Sequence, residues 1–141
     1  MRLREIKPDD EQLRVILEAG FVLRDAGRLD DAEAVFLGMM ELLPASELPH
    51  VALGTIRLQR GAFGEAQALC EEGLRLNPDS LYAQVHHAEA LLFQSRRDPA
   101  EAELRHVIST DPQSPHSRTA RALLEAADLI CAHRETVGGG V

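Results

Sequence analysis

The chain has 141 residues and a formal net charge of −8, a length that suits one domain with a real core. That charge leaves no basic surplus to displace counterions from nucleic acid or to hold an anionic membrane, so neither is expected as a partner. Aromatic residues make up 4%, with no Trp and one Tyr, and two cysteines (Cys70 and Cys131) are too few for a disulfide framework or a zinc site. The start, "MRLREIKPDDEQ", has no signal-peptide core, and no apolar run approaches a membrane span. The expected location is a reducing cytoplasm.

In chain order the first predicted helix covers 10–26, after Pro8 and a capping box formed by Asp9 and Gln12. Gly27 then turns the chain into a second helix over 29–42, whose opening carboxylates Asp30, Asp31 and Glu33 suit the positive end of the helix dipole. A third helix is predicted over 47–60 and a fourth over 63–76, with Gly61 at the turn between them. Ser80 precedes a fifth helix over 81–95, and "SRRDP" follows, with Asp98 as N-cap and Pro99 as first residue of a sixth over 99–110. Ser114 introduces a seventh over 115–134. Its stripe of Leu123, Leu124, Ala127, Ile130 and Cys131 lies beside a charged face.

These helices repeat. "AGRLDDAEAVF", "RGAFGEAQALC" and "QSRRDPAEAEL" follow one another at 34-residue spacing. With Leu13, Glu47 and Leu81 as first places, place 8 holds Gly20, Gly54 and Ala88, where a small residue lets two helices approach. Place 20 holds Ala32, Ala66 and Ala100, and one turn on along the same face stand Phe36, Cys70 and Leu104. Place 32 closes each unit with Pro44, Pro78 and Pro112. This pattern resembles the tetratricopeptide repeat over residues 13–114. Ile16, His50 and Gln84 replace its Trp, and Leu23, Arg57 and Leu91 its Tyr.

The resemblance implies an all-α, right-handed superhelical stack of three hairpins. Residues 1–12 form a lead-in, and the units are 13–46, 47–80 and 81–114. A capping helix at 115–135 shields the open end of the stack, and residues 136–141 form a flexible tail. In this family the concave groove is lined from places 2, 5, 9 and 12 of each first helix. Those places hold Arg14, Leu17, Phe21 and Arg24; Leu48, Val51, Thr55 and Leu58; and Tyr82, Val85, Glu89 and Leu92. An open apolar face of this kind marks a binding site for a protein or peptide with an apolar segment. Filling by the capping helix or by a second chain, as in a homodimer, stays open. The carboxylate clamp that grips acidic chaperone tails is ruled out, because its places hold Leu17, Phe21, Ala52, Tyr82 and His86.

"SELPHVALGTIRLQRGAFGEA" and "YAQVHHAEALLFQSRRDPAEAEL" further resemble the repeats of class II chaperones of bacterial type III secretion. That resemblance implies a bacterial cytoplasmic chaperone holding an apolar segment of an export substrate. The family carries a longer dimerising extension before its first unit. An assembly scaffold, or a needle-subunit co-chaperone without a translocator client, is therefore the alternative. No enzyme, metal or cofactor is expected. His86, His87 and Glu89 point in different directions on one helix, and His50, His106, His116 and His133 lack ligand spacing. Cys70 and Cys131 fall on apolar faces, with no base beside them.

Overall fold

The computed structural model describes residues 9–139, with side chains through Ala132. Seven helices follow one another: α1 (Asp10–Asp25), α2 (Leu29–Leu42), α3 (Leu48–Gln59), α4 (Phe63–Leu76), α5 (Leu81–Phe93), α6 (Arg97–Thr110) and α7 (Pro115–Gly139). No strand occurs among the described residues. α1 pairs with α2, α3 with α4 and α5 with α6, and each hairpin packs on the next. α3 also meets α5 directly, and α7 packs on both α5 and α6. The result is a stack of three hairpins closed by a seventh helix. Residues 136–139 continue α7 where a flexible tail was expected; residues 1–8 of the lead-in and 140–141 lie outside the described residues.

The caps explain where the helices start. Asp9 and Gln12 form a reciprocal box, the Gln12 amide donating to Asp9 Oδ1 at 2.8 Å and the Asp9 amide to Gln12 Oε1 at 3.0 Å. Ser80 Oγ accepts the Ala83 amide at 3.1 Å, and Ser114 Oγ accepts that of His116 at 2.9 Å.

All three hairpin turns share one backbone device. The amides of Arg28, Ala62 and Arg96 donate to the carbonyls of Leu23, Arg57 and Leu91, five residues back, at 2.9, 2.8 and 3.0 Å. The residue just before each of these amides takes a left-handed conformation: Gly27 at φ 79°, Gly61 at φ 77° and Ser95 at φ 61°. The third turn corrects the expected N-cap at Asp98. α6 begins at Arg97, two residues before the expected start, and Asp98 sits in its first turn. The shared closure fixes the start of the helix, so it overrides the local Asp-Pro signal. Ser95 bears a Cβ where its two equivalents have none, at a cost that glycine avoids. Ser95→Gly should therefore raise stability by about 0.5–1 kcal/mol despite the extra freedom of the unfolded chain. Urea unfolding followed by circular dichroism measures it, and a loss of stability would contradict this account of the turn.

The repeated places make the core. Ala32, Ala66 and Ala100, with Phe36, Cys70 and Leu104, have no exposed surface. The first cluster joins Ala32, Phe36, Ala52, Leu53 and Ile56, with Leu17, Phe21 and Leu23 packed against it. The last joins Val85, Leu92, Leu104 and Val107 to Ala120, Leu123, Ala127 and Cys131 of α7. Ser117 ties the start of α7 down, its buried hydroxyl donating to Asp111 O at 2.5 Å and lying 3.2 Å from Val107 O. Arg57, which stands where the repeat pattern has Tyr, reaches back from α3 to an ion pair with Glu33 of α2. Hydrogen bonding to Arg57 holds the Glu33 carboxyl below its ordinary range. A stacked aromatic is thus replaced by a half-buried charge pair joining two units.

Candidate binding groove

The first helices leave a cavity of about 700 Å3 along their shared face. α1 contributes Phe21 and Arg24; α3 contributes Thr55, Leu58 and Gln59; α4 contributes Phe63. Tyr82, His86, Glu89 and Phe93 come from α5, and Thr119 from α7. One end is aromatic, with the Phe63 and Phe93 rings stacked at 4.9 Å. The rest is polar. Arg24 spans from α1 to α3, donating from Nη1 to Thr55 Oγ1 at 2.9 Å, with its guanidinium 5.0 Å from the centre of the Phe21 ring. His86 Nδ1 lies 2.9 Å from Glu89 Oε1, so these two share a face, three residues apart, where divergence was expected, and only His87 turns away. The Tyr82 ring sits between those of His86 and His116. The Tyr82 hydroxyl is buried with no acceptor for its O–H, and burial pushes its pKa up to about 12 against the opposing pull of the nearby Arg24 guanidinium.

Of the residues singled out from sequence, Phe21, Thr55, Leu58, Tyr82 and Glu89 line this cavity, together with Arg24. Five others do not. Leu17 packs against the first core cluster, and Leu48 is 37% exposed away from the cavity. Val51, Val85 and Leu92, expected on the open face, have no exposed surface at all. The reason is the stacking of first helices on one another. α5 closes over place 5 of α3, and α7 closes over α5, so these side chains become seams between elements. Arg14 stays outside the cavity, paired with Glu11 and Glu18. Gln59, Phe63, His86, Phe93 and Thr119 were missed, since they come from other places or other helices.

Other chemically capable groups are structural. Cys70 is buried, and burial raises its thiol to about 12, which keeps it un-ionised near neutral pH. Cys131 is buried against α5. Among the described residues no cluster of His, Cys, Asp and Glu has the make-up of a metal site.

His87 sits in the seam instead. Its Nδ1 is 2.7 Å from Glu103 of α6, and its Nε2 is 3.2 Å from Glu71 of α4. Burial favours the neutral ring, but hydrogen bonds and charge from Glu103, then Glu71, outweigh it and raise the pKa above 6.5. A raised folded-state pKa means that the contact stabilises fully below the unfolded value. That contribution fades as pH rises through the folded one. The wild type should therefore lose stability relative to His87→Gln as pH rises above 6.5, the ordinary histidine value. Urea unfolding of both proteins at a series of pH values measures the difference, and a constant difference would refute the bridge.

Residues 57–124 match the family model for the tetratricopeptide repeat, and the three hairpins carry its small residues at its spacing. The fold is the tetratricopeptide repeat. No curated protein matches the sequence. Among solved tetratricopeptide structures, the chain resembles the Yersinia enterocolitica type III secretion translocator chaperone SycD, in an alternative dimer. The TM-score is 0.70 at 25% identity, over 86% of this chain and 95% of that one. Pseudomonas aeruginosa PcrH, in complex with the chaperone-binding region of PopD, superimposes with TM-score 0.69 at 21% identity, over 90% and 96%. The first tetratricopeptide domain of Spaghetti (RPAP3), bound to the HSP90 peptide SRMEEVD, gives 0.70 at 18%, over 90% and 98%. At such identities the last two establish the tetratricopeptide fold alone. Among the described residues no helix is long and apolar enough to cross a membrane.

Proposed function

We propose that this protein is a cytoplasmic chaperone of bacterial type III secretion, holding an apolar segment of an export substrate in its groove. The observation that carries this reading is the open cavity itself, where Phe21, Leu58, Phe63, Tyr82 and Phe93 gather in a chain with 4% aromatic residues. An aromatic-lined trough across the first helices receives an extended segment, buries its apolar side chains and keeps it from self-association. The likeness to the translocator chaperone SycD, at 25% identity, supports this client class. An acidic chaperone tail is disfavoured, because Leu17, Phe21, Ala52, Tyr82 and His86 occupy the places of the carboxylate clamp.

A bound segment of about ten residues buries roughly 1,000 Å2, the range of transient, releasable complexes. Micromolar affinity suits a client that must later be handed over.

The test is co-purification from the native cell with wild type and with a Leu58→Glu, Phe93→Glu double variant. Both side chains line the cavity and neither is fully buried, so the variant should stay folded. A secreted protein present with wild type and absent from the folded variant supports the proposal. The same partners with both would move the function off the groove.

A further inference from the structure

We propose that Arg24 and Tyr82, seated over Thr55, form a subsite that fixes an acidic side chain of the bound segment; this rests on the groove reading above. Three observations converge on it. First, the Tyr82 hydroxyl is buried in the wall of the cavity beside the Arg24 guanidinium, which can only donate, so its own O–H meets no acceptor. A phenol that stays protonated is a donor in search of an acceptor.

Second, Arg24 is the cationic residue among those lining the cavity. Its side chain is only 19% exposed and is held in place by Thr55, whose own hydroxyl donates to Ala52 O at 2.6 Å. Its other partner is the neighbouring Asp25, 67% exposed, and an ion pair open to water on that side is weakly held. A guanidinium carries five N–H donors in a fixed fork, so bonds to Thr55 and Asp25 leave it donors to spare.

Third, the acidic residue in the cavity wall, Glu89, is already matched by His86 at 2.9 Å. Glu89 is thus directed to His86, and the spare donors of Arg24 and Tyr82 are left to a ligand. A carboxylate supplies up to four acceptor sites, and a fork that meets it makes short, charge-assisted bonds. The Phe63 and Phe93 rings carry no donor, so the charged donor of Arg24 places the acidic residue at the α1 side. This arrangement draws on places 12, 9 and 2 of successive units and differs from the five-residue clamp for chaperone tails.

A peptide array provides the test. Twelve-residue probes with blocked ends carry mixed Ala, Leu and Val around one central Asp, Asn or Lys. A matching set carries Asn and a free C-terminal carboxylate. Wild type should retain Asp probes about tenfold better than Asn probes, the worth of one good charge-assisted bond. Arg24→Gln should erase that preference while still binding the apolar probes. Tyr82→Phe, which keeps the ring, should reduce it severalfold. As Tyr82 is the one tyrosine and there is no tryptophan, its intrinsic fluorescence should change with Asp probes and not with Asn. Equal binding of Asp and Asn probes would overturn the subsite and leave the groove standing, as would a preference for the free carboxylate. Failure of every probe with wild type would overturn the groove reading and the subsite together.

Discussion

Phe36→Ala is expected to cost about 3–5 kcal/mol, the range for a buried phenylalanine, out of a total of about 5–15 kcal/mol for a single domain. Phe36 has no exposed surface, and its ring lies 5.3 Å from that of Phe21 on α1. The approach is so close that a Cβ on Gly20 would lie 2.6 Å from Phe36 Cε1. Gly20 is also the one fully buried residue of α1, while Val15 and Val22 on that helix are 52% and 67% exposed. The first helix therefore depends on Phe36 more than on any surface of its own. In a stack whose units contact only their neighbours, losing that anchor should free α1 before the rest unfolds. Urea unfolding gives the size of the loss, and hydrogen exchange should show amides of α1 losing protection first. A cost below about 1.5 kcal/mol would mean that the hairpin is held elsewhere.

The period of the fold was legible because it rests on steric requirements that few residues meet. Gly20, Gly54 and Ala88 allow close helix approach, and Ala32, Ala66 and Ala100 recur at the matching place of the second helix. The Asp9–Gln12 box and the serine caps were legible for the same reason, since each needs a particular side chain at a particular step. The third turn was not. Glycine marks the left-handed residue in two units, but the third supplies Ser95, and Asp98-Pro99 imitated a later helix start.

The groove was legible by half, for a different reason. Places 2, 5, 9 and 12 describe an isolated helix face, and sequence does not show how much of that face the next helix will cover. Val51 and Val85 share place 5 and both vanish under a neighbour. Composition held a better signal. Of the four phenylalanines only Phe36 has no exposed surface; the other three, with the single tyrosine, line the cavity. In so aromatic-poor a chain, that concentration sets the cavity apart from the rest of the surface.

Leu58 and Leu92 occupy the same place of successive units and should respond in opposite ways. Leu92 has no exposed surface, packs with Leu104, Val107, Leu123 and Ala127, and lies under α7, whose Cys131 Sγ approaches its carbonyl at 4.0 Å. Leu92→Ala should therefore cost about 2–5 kcal/mol, the loss for a leucine in a core that cannot collapse around the gap. Client capture by whatever fraction stays folded should be unchanged. Leu58 is half-buried and lines the cavity, so the shortened side chain leaves a wider groove and no sealed void. Leu58→Ala should cost about 1 kcal/mol of stability or less and weaken capture instead, because the client loses an apolar contact. Urea unfolding and client co-purification, run on both variants, separate the two roles. Equal stability losses would mean that α7 does not close the third unit in solution. The groove would then extend along α5 as far as Leu92.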